Sequence, residues 1–143
     1  MMRQIKLIMM KGLPFSGKTE WATKWVSQKS NRIRLSWSEG MRMMTTRKQR
    51  ELRVVAFDGM LRMMKTAFEL GYDVVIDECN LNGFEWGIII TRAQNCHAKV
   101  EWHTMTTPLE ECKRRAKAAG ANISDIEFDN LARRWEVWLK QKG

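Results

Sequence analysis

The 143-residue sequence has only two prolines and nine glycines, which leaves no room for a collagen-like, repetitive or low-complexity chain. Its three cysteines, Cys79, Cys96 and Cys112, are odd in number and lie in no Cys-x-x-Cys spacing. Neither a disulfide framework nor a zinc site is expected, and a reducing cytoplasm fits best. Long apolar runs are missing as well. The stretch from Ile5 to Met10 is interrupted by Lys6 and closed by Lys11, too short for a membrane span or the core of an export signal, so a cytoplasmic chain with no membrane partner is expected. Acidic residues are the other shortage: 16 Asp and Glu against 25 Lys and Arg leave a formal charge of +9. Such an excess favours polyanionic partners, nucleic acid or phosphorylated metabolites, and carries no information about fold. With 44% hydrophobic and 29% charged residues, the length suits one globular domain over 1–143.

Periodicity divides that domain into alternating strands and helices. Gln4–Met10 reads as a short strand that ends where Lys11-Gly12 opens a glycine-rich loop, and Trp21, Ala22, Trp25 and Val26 recur at helical spacing within Thr19–Gln28. Ile33–Trp37 alternates apolar and polar residues as an edge strand does, and Ser38-Glu39-Gly40 breaks it as a polar turn. The clearest helix covers Arg47–Leu70: Phe57, Leu61, Met64 and Phe68 share a stripe, Arg50, Arg53, Arg62 and Lys65 lie elsewhere around it, and Gly71 supplies the stop. Tyr72–Ile76 closes on the β-branched run Val74-Val75-Ile76, as in a strand buried on both faces of a parallel sheet, and runs into Asp77-Glu78. Gly83–Ala93 reads as helix, Ala98–Thr104 as strand, and Pro108–Ala119 and Asp129–Lys140 as closing helices. The alternation predicts an α/β fold with a parallel β-sheet flanked by helices. Charge is segregated along the chain: residues 32–65 hold nine basic and three acidic side chains, residues 72–90 four acidic and none basic.

Gly12-Leu13-Pro14-Phe15-Ser16-Gly17-Lys18-Thr19 completes the pattern GxxxxGK[ST] between a predicted strand and a predicted helix. There the glycines let backbone N–H groups converge on phosphate oxygens and the helix N-terminus adds partial positive charge. Lys18 bridges β- and γ-phosphates, and Thr19 offers a hydroxyl to Mg²⁺. The expected ligand is a nucleoside triphosphate. Val74-Val75-Ile76-Asp77-Glu78 supplies the acid such a loop needs opposite Thr19, and because neighbouring strand residues face opposite ways, either Asp77 or Glu78 can take that role. Glu39 and Arg42 follow the second strand, beyond whose carboxyl end a doubly wound sheet places its ligands. A carboxylate there can orient and deprotonate a hydroxyl and an arginine can clamp a phosphate, although the pair equally fits a solvated helix start. Lys113-Arg114-Arg115-Ala116-Lys117 is either a solvated helix face or the arginine source of a helical lid beside Ala118, Ala119 and Gly120. Of the seven tryptophans, Trp21 with Trp25 and Trp135 with Trp138 sit on core stripes, and Trp37 alone is placed to stack on a ligand. His97 and His103 read as structural, and the eleven methionines as adaptable filling.

Gly-x-Pro-x-Ser-Gly-Lys-Thr followed by Glu20-Trp21-Ala22, and Val75-Ile76-Asp77-Glu78-Cys79-Asn80-Leu81-Asn82, resemble the kinase domain of phage-type 5′ polynucleotide kinases, where an acid shortly precedes an Asn-Leu-Asn run. Pro108-Leu109-Glu110-Glu111-Cys112-Lys113-Arg114 and Arg133-Arg134-Trp135 look like that family's lid and closing helix, so the similarity spans nearly the whole chain. The resemblance implies a P-loop kinase with a helical lid in which Lys18 and Thr19 hold ATP and Mg²⁺; Gly12, Pro14, Ser16 and Gly17 of the loop and Arg114 and Arg115 of the later basic run are expected to bind the nucleotide with them. It implies that the family's Asp-x-x-Arg, the general base and phosphate clamp, falls on Glu39 and Arg42. The strand-end acid then falls on Glu78 with Asp77 as rival, one lid arginine on Arg114, and a second on Ala118 beside Lys117. The chain departs from the family in having glutamate for the basic aspartate and one lid arginine fewer. No phosphatase domain follows, so 3′-end processing is expected to be absent.

These readings together lead us to expect γ-phosphoryl transfer from ATP to the 5′-hydroxyl of a DNA or RNA end, with Lys18, Glu39, Arg42 and Arg114 catalytic and Thr19, Asp77 and Glu78 about the metal. A nucleoside, nucleotide, other small molecule or hydroxymethylated base of phage DNA is an alternative acceptor. A nucleic-acid-binding module with a vestigial nucleotide site is the alternative from another class.

Overall fold

Four short runs form strands in the structure, a computed structural model that describes residues 3–44 and 49–142. They are β1 (Lys6–Lys11), β2 (Arg32–Leu35), β3 (Asp73–Ile76) and β4 (Lys99–Thr104). All pair parallel in the order β2-β3-β1-β4, with Ile8 opposite Val75 on one side and Glu101 on the other. Parallel neighbours need crossovers, and the helices supply them: α1 (Lys18–Ser27), α2 (Trp37–Arg42), α3 (Gln49–Glu69) and α4 (Gly83–Asn95), with α5 (Leu109–Ala118) and α6 (Asp125–Lys142) after the last strand.

The two faces of the sheet read directly off alternate residues. Leu7, Met9, Leu35, Val74 and Ile76 point to one face, where Met60, Leu61, Met64 and Phe68 of α3 and Ile89 and Ala93 of α4 cover them. Ile8, Met10 and Val75 point to the other, under Ala22, Trp21 and Trp25 of α1. Because β1 and β3 bury both faces, Leu7, Met9, Met10, Val74, Val75 and Ile76 are all fully buried. A third cluster lies outside the sheet. Phe128 of α6 and Cys112 and Ala116 of α5 close on Leu13 of the glycine-rich loop, with Leu81 and Leu131 at its margin. This packing fixes the terminal helix pair over the carboxyl end of β1.

The most deeply buried charge among the described residues is Lys11. Lys11 has no exposure, its ammonium donates to the Asn80 carbonyl, and the rings of Trp86 and Trp102 lie 5.5 and 5.2 Å from it. Two indole faces and a carbonyl offset part of the cost of removing the ion from water. Asn80, at φ 53°, also donates to the Met10 carbonyl at 2.6 Å, so the end of β1 and the loop after β3 are tied twice.

Two helices differ from the sequence expectation. The second strand stops at Leu35 and does not run on to Trp37; Trp37–Arg42 is helical where a polar turn was expected, because Ser36 takes the N-cap and its Oγ accepts the Glu39 N–H at 3.3 Å. The last helix starts at Asp125 rather than Asp129, with the Ser124 Oγ accepting from the Glu127 N–H at 3.1 Å. In both cases a serine that looks like loop composition acts as a cap. The expected start of the third helix at Arg47 lies outside the described residues, as does the side chain of Trp138.

Candidate functional site

The glycine-rich loop leaves β1 at Gly12 and enters α1 at Lys18. Between them Phe15 (φ 63°) and Gly17 (φ 94°) adopt left-handed backbone, which turns successive N–H groups toward one centre. Gly17 has no side chain to strain there, whereas Phe15 is a bulky residue in a conformation it rarely adopts. Gly12 answers a different need: a Cβ at that position would stand 2.7 Å from the Ser16 Oγ and 3.0 Å from Met105. The loop is braced by Thr107, whose hydroxyl donates to the Ser16 carbonyl at 2.8 Å, and by Arg115, whose Nη1 donates to the Phe15 carbonyl at 3.3 Å. Within the loop the buried Ser16 Oγ, packed close to Gly12, has no hydrogen-bond partner among the described residues. The Lys18 ammonium, also buried, donates to the Leu13 carbonyl at 2.7 Å. A buried hydroxyl without a partner and a lysine folded onto its own loop are what an anion site holds ready.

Beside the cradle, the Thr19 hydroxyl donates to Asp77 Oδ2 at 2.7 Å. Glu78 turns the other way. One of its oxygens accepts from the Ser36 and Ser38 hydroxyls at 2.7 and 2.9 Å and from the Ser38 N–H at 3.0 Å. Burial pushes its carboxyl above the ordinary value, and the serine hydrogen bonds offset this in part. The structure therefore brings Asp77 to Thr19 and places Glu78 under the start of α2. The alternation of side chains along an extended strand end separates the two acids.

Arg34, from β2, was not singled out by sequence reasoning. Its Nε donates to Asp77 Oδ2 at 2.7 Å, the oxygen that also accepts from Thr19. Its Nη1 donates to Glu39 Oε2 at 2.9 Å and its Nη2 to Glu39 Oε1. One guanidinium thus holds both candidate acids, and its own pKa is raised, first by the Glu39 hydrogen bond. The same bond holds Glu39 below the usual carboxylate range, with a smaller Coulombic contribution from Arg42. The signal in the sequence was slight: Arg32-Ile33-Arg34-Leu35 puts two arginines on one side of an edge strand, but only the parallel register beside β3 carries Arg34 to Asp77.

Arg42 and Arg115 line a cleft of about 400 Å³ with Phe15, Gly17, Lys18, Thr19 and Glu20. Arg114 lies elsewhere: its side chain is 67% exposed and makes a bidentate pair with Glu111, at 2.8 and 2.5 Å. One residue of a helix is a turn of 100°, and it is Arg115 that this turn aims at the loop. Glu111 also accepts from Arg115 Nε at 3.1 Å, and the two arginines hold its carboxyl down at about 2. A second cleft of about 280 Å³ opens on the other side of the loop, lined among others by Pro14, Trp37, Arg53, Glu78 and Arg134. In it one face of Trp37 carries the Arg53 guanidinium at 4.5 Å, Phe57 meets the ring edge-on, and Arg53 pairs with Glu85. The histidines take no part. His103 stacks on Trp21 at 3.7 Å with its pKa lowered by burial, and His97 sits at φ 63° before β4. Among the described residues no group of three or more His, Cys, Asp or Glu side chains is placed to hold a metal, and no helix is long and apolar enough to cross a membrane.

No curated protein matches the chain by sequence. Solved structures do match by shape. A chain of the Pnkp1/Rnl/Hen1 RNA repair complex superposes with a TM-score of 0.82 at 16% identity, over 100% of this chain and 47% of that one. The APS kinase CysC of Mycobacterium tuberculosis, solved with AMPPNP and APS, superposes at 0.61 and 16% over 79% and 69%. Deoxyadenosine kinase from M. mycoides superposes at 0.59 and 12% over 94% and 84%. The chain spans about half the length of the repair-complex chain. At these identities the likeness is one of fold: a four-stranded parallel sheet flanked by helices, as in P-loop kinases. The sequence profile described as an AAA domain matches residues 7–140, and the chain belongs to that family.

Proposed function

We propose that this domain transfers the γ-phosphoryl group of ATP to a hydroxyl, the 5′-hydroxyl of a DNA or RNA end. The observation that carries the reading is the convergence on one cleft of Lys18, Thr19, Arg42 and Arg115, with the buried Ser16 Oγ in the loop beside it and Glu39 on the same short helix as Arg42. A polyphosphate entering the cradle gives Ser16 its missing partner and draws Lys18 off the Leu13 carbonyl onto β- and γ-oxygens. Arg115 and Arg42 then neutralise charge as it spreads over the transferring group. Glu39, ionised by Arg34, receives the hydroxyl proton. Little basicity is needed where the transition state is loose and the carboxylate's main work is orientation.

The donor set fits Mg²⁺: a threonine hydroxyl with Asp77 beside it is what an ion completed by water and phosphate oxygens requires. Bound there, the ion would supply positive charge that offsets the charge of the phosphates. Thr19 would hold it, with Asp77 orienting its water.

Support for a polynucleotide acceptor comes from the +9 charge, from Arg53 and Arg134 along the second cleft, and from likeness to a chain of an RNA repair complex. Lys18→Ala tests the class of function. Phosphoryl transfer to a 5′-hydroxyl oligonucleotide is lost while oligonucleotide binding stays within a few-fold of wild type; transfer that survives the substitution contradicts the reading.

A further inference from the structure

Glu39 is an awkward group on which to rely for positioning. Its side chain is 44% exposed on the first turn of the six-residue α2, and a glutamate has three rotatable bonds through which to leave a hydroxyl. The Arg34 fork removes that freedom by taking both carboxylate oxygens, in the paired geometry that fixes a carboxylate plane as well as its position. Arg34 is itself anchored through Nε to Asp77, whose side chain is 2% exposed, so the clamp is referenced to the floor of the site and not to the surface. The outer lone pair of each Glu39 oxygen stays available to an acceptor.

We propose that Arg34 is a positioning residue: it fixes the Glu39 carboxylate toward the acceptor hydroxyl and ties it to the Asp77–Thr19 pair, so that the acceptor and phosphate ends of the site are held in one frame by a single side chain. This rests on the kinase reading above. Arg34 touches neither substrate, and its effect on kcat should pass chiefly through Glu39, with the Asp77 contact serving as its anchor.

The test is a double-mutant cycle on the whole chain, with Arg34→Met, Arg34→Lys, Glu39→Gln and the two double variants. Steady-state transfer from ATP to a 5′-hydroxyl oligonucleotide is measured beside metal-free ATP binding by calorimetry. Arg34→Met should lower kcat on the order of 100-fold, the usual cost of a misplaced reacting group, with KM for ATP and metal-free ATP affinity within about twofold of wild type. Arg34→Lys should recover part of the loss, since one ammonium cannot copy the fork. In the Glu39→Gln background either Arg34 change should cost less than about threefold, because groups that act as a unit are not additive. Wild-type kcat in Arg34→Met, an undiminished loss in the Glu39→Gln background, or a collapse of metal-free ATP affinity would each overturn the proposal. A wild-type protein that phosphorylates no oligonucleotide but does phosphorylate another hydroxyl contradicts the acceptor alone, and the cycle is then read on that hydroxyl. A wild type that phosphorylates none overturns the kinase reading and this one with it.

Discussion

Glu39 stands between two cations, Arg34 on β2 and Arg42 three residues along its own helix, and both favour its ionised form. A carboxylate held below its ordinary value of 4.5 stays deprotonated as pH falls through that value. The acid limb that Glu39 contributes to kcat/KM is therefore expected below pH 4.5, and in Arg34→Met it should move up toward it, which a pH–rate series in both proteins reads directly. The same sign governs stability: a depressed folded value stabilises above the unfolded one, and the contribution fades as pH falls through the folded one. The two arginines of α5 separate as cleanly. Arg115→Ala should lower kcat by about 100-fold or more, while Arg114→Ala, which loses an exposed pair with Glu111, should stay within about threefold. Asp77→Asn should weaken the dependence on Mg²⁺ far more than Glu78→Gln, since Asp77 is the acid that meets Thr19. At this scale the phosphate loop was legible because its chemistry is local in sequence. Which of Asp77 and Glu78 meets Thr19, and that Arg115 reaches the loop where Arg114 was expected, was not, since each depends on which way a neighbouring residue turns. Arg34 was invisible because its partners, 43 residues away in Asp77 and five away in Glu39, meet only once β2 lies against β3.

Helix α2 shows what a short element adds. Ser36-Trp37-Ser38-Glu39 spells a serine cap followed three residues later by glutamate, a helix-start pattern that the alternating run before it disguised as a strand end. The cap matters to the site, because the same hydroxyl holds Glu78 and begins the helix that carries Glu39 and Arg42. Ser36→Ala is expected to cost about 1 kcal/mol in denaturant unfolding. Helix α6 depends on packing of another kind. Phe128, 1% exposed, seats it against Cys112 and Leu13, and Phe128→Ala should cost about 3–5 kcal/mol, read from the urea midpoint. A loss under 1 kcal/mol would mean that α6 is not anchored there. Helices α1, α3 and α4 were legible because long apolar stripes admit one period only. The starts of α2 and α6 were hidden by serines that loops and caps use alike.

For the whole molecule, alternation of strand and helix was enough to predict a parallel sheet, and the burial of both faces of β3 followed from its β-branched run. Strand order did not follow from sequence, because nothing local says that β1 lies between β3 and β4. Net charge belongs to this scale too. If the acceptor is a polymer, its phosphates release counterions on binding, so KM for a 5′-hydroxyl oligonucleotide should climb steeply between 50 and 200 mM salt, by roughly tenfold or more for several contacts. KM for ATP should rise less, and a mononucleoside should serve poorly at any salt. Equal salt dependence for nucleoside and oligonucleotide would turn the reading toward a small acceptor.

The most direct test of the central claim is transfer of γ-labelled phosphate from ATP with Mg²⁺ to a 5′-hydroxyl oligonucleotide, beside an otherwise identical 5′-phosphorylated one, by the wild-type protein and Glu39→Gln. The account predicts label on the 5′-hydroxyl oligonucleotide alone, lost in the variant by about 100-fold. Label on both oligonucleotides, on neither, or undiminished in Glu39→Gln would contradict it.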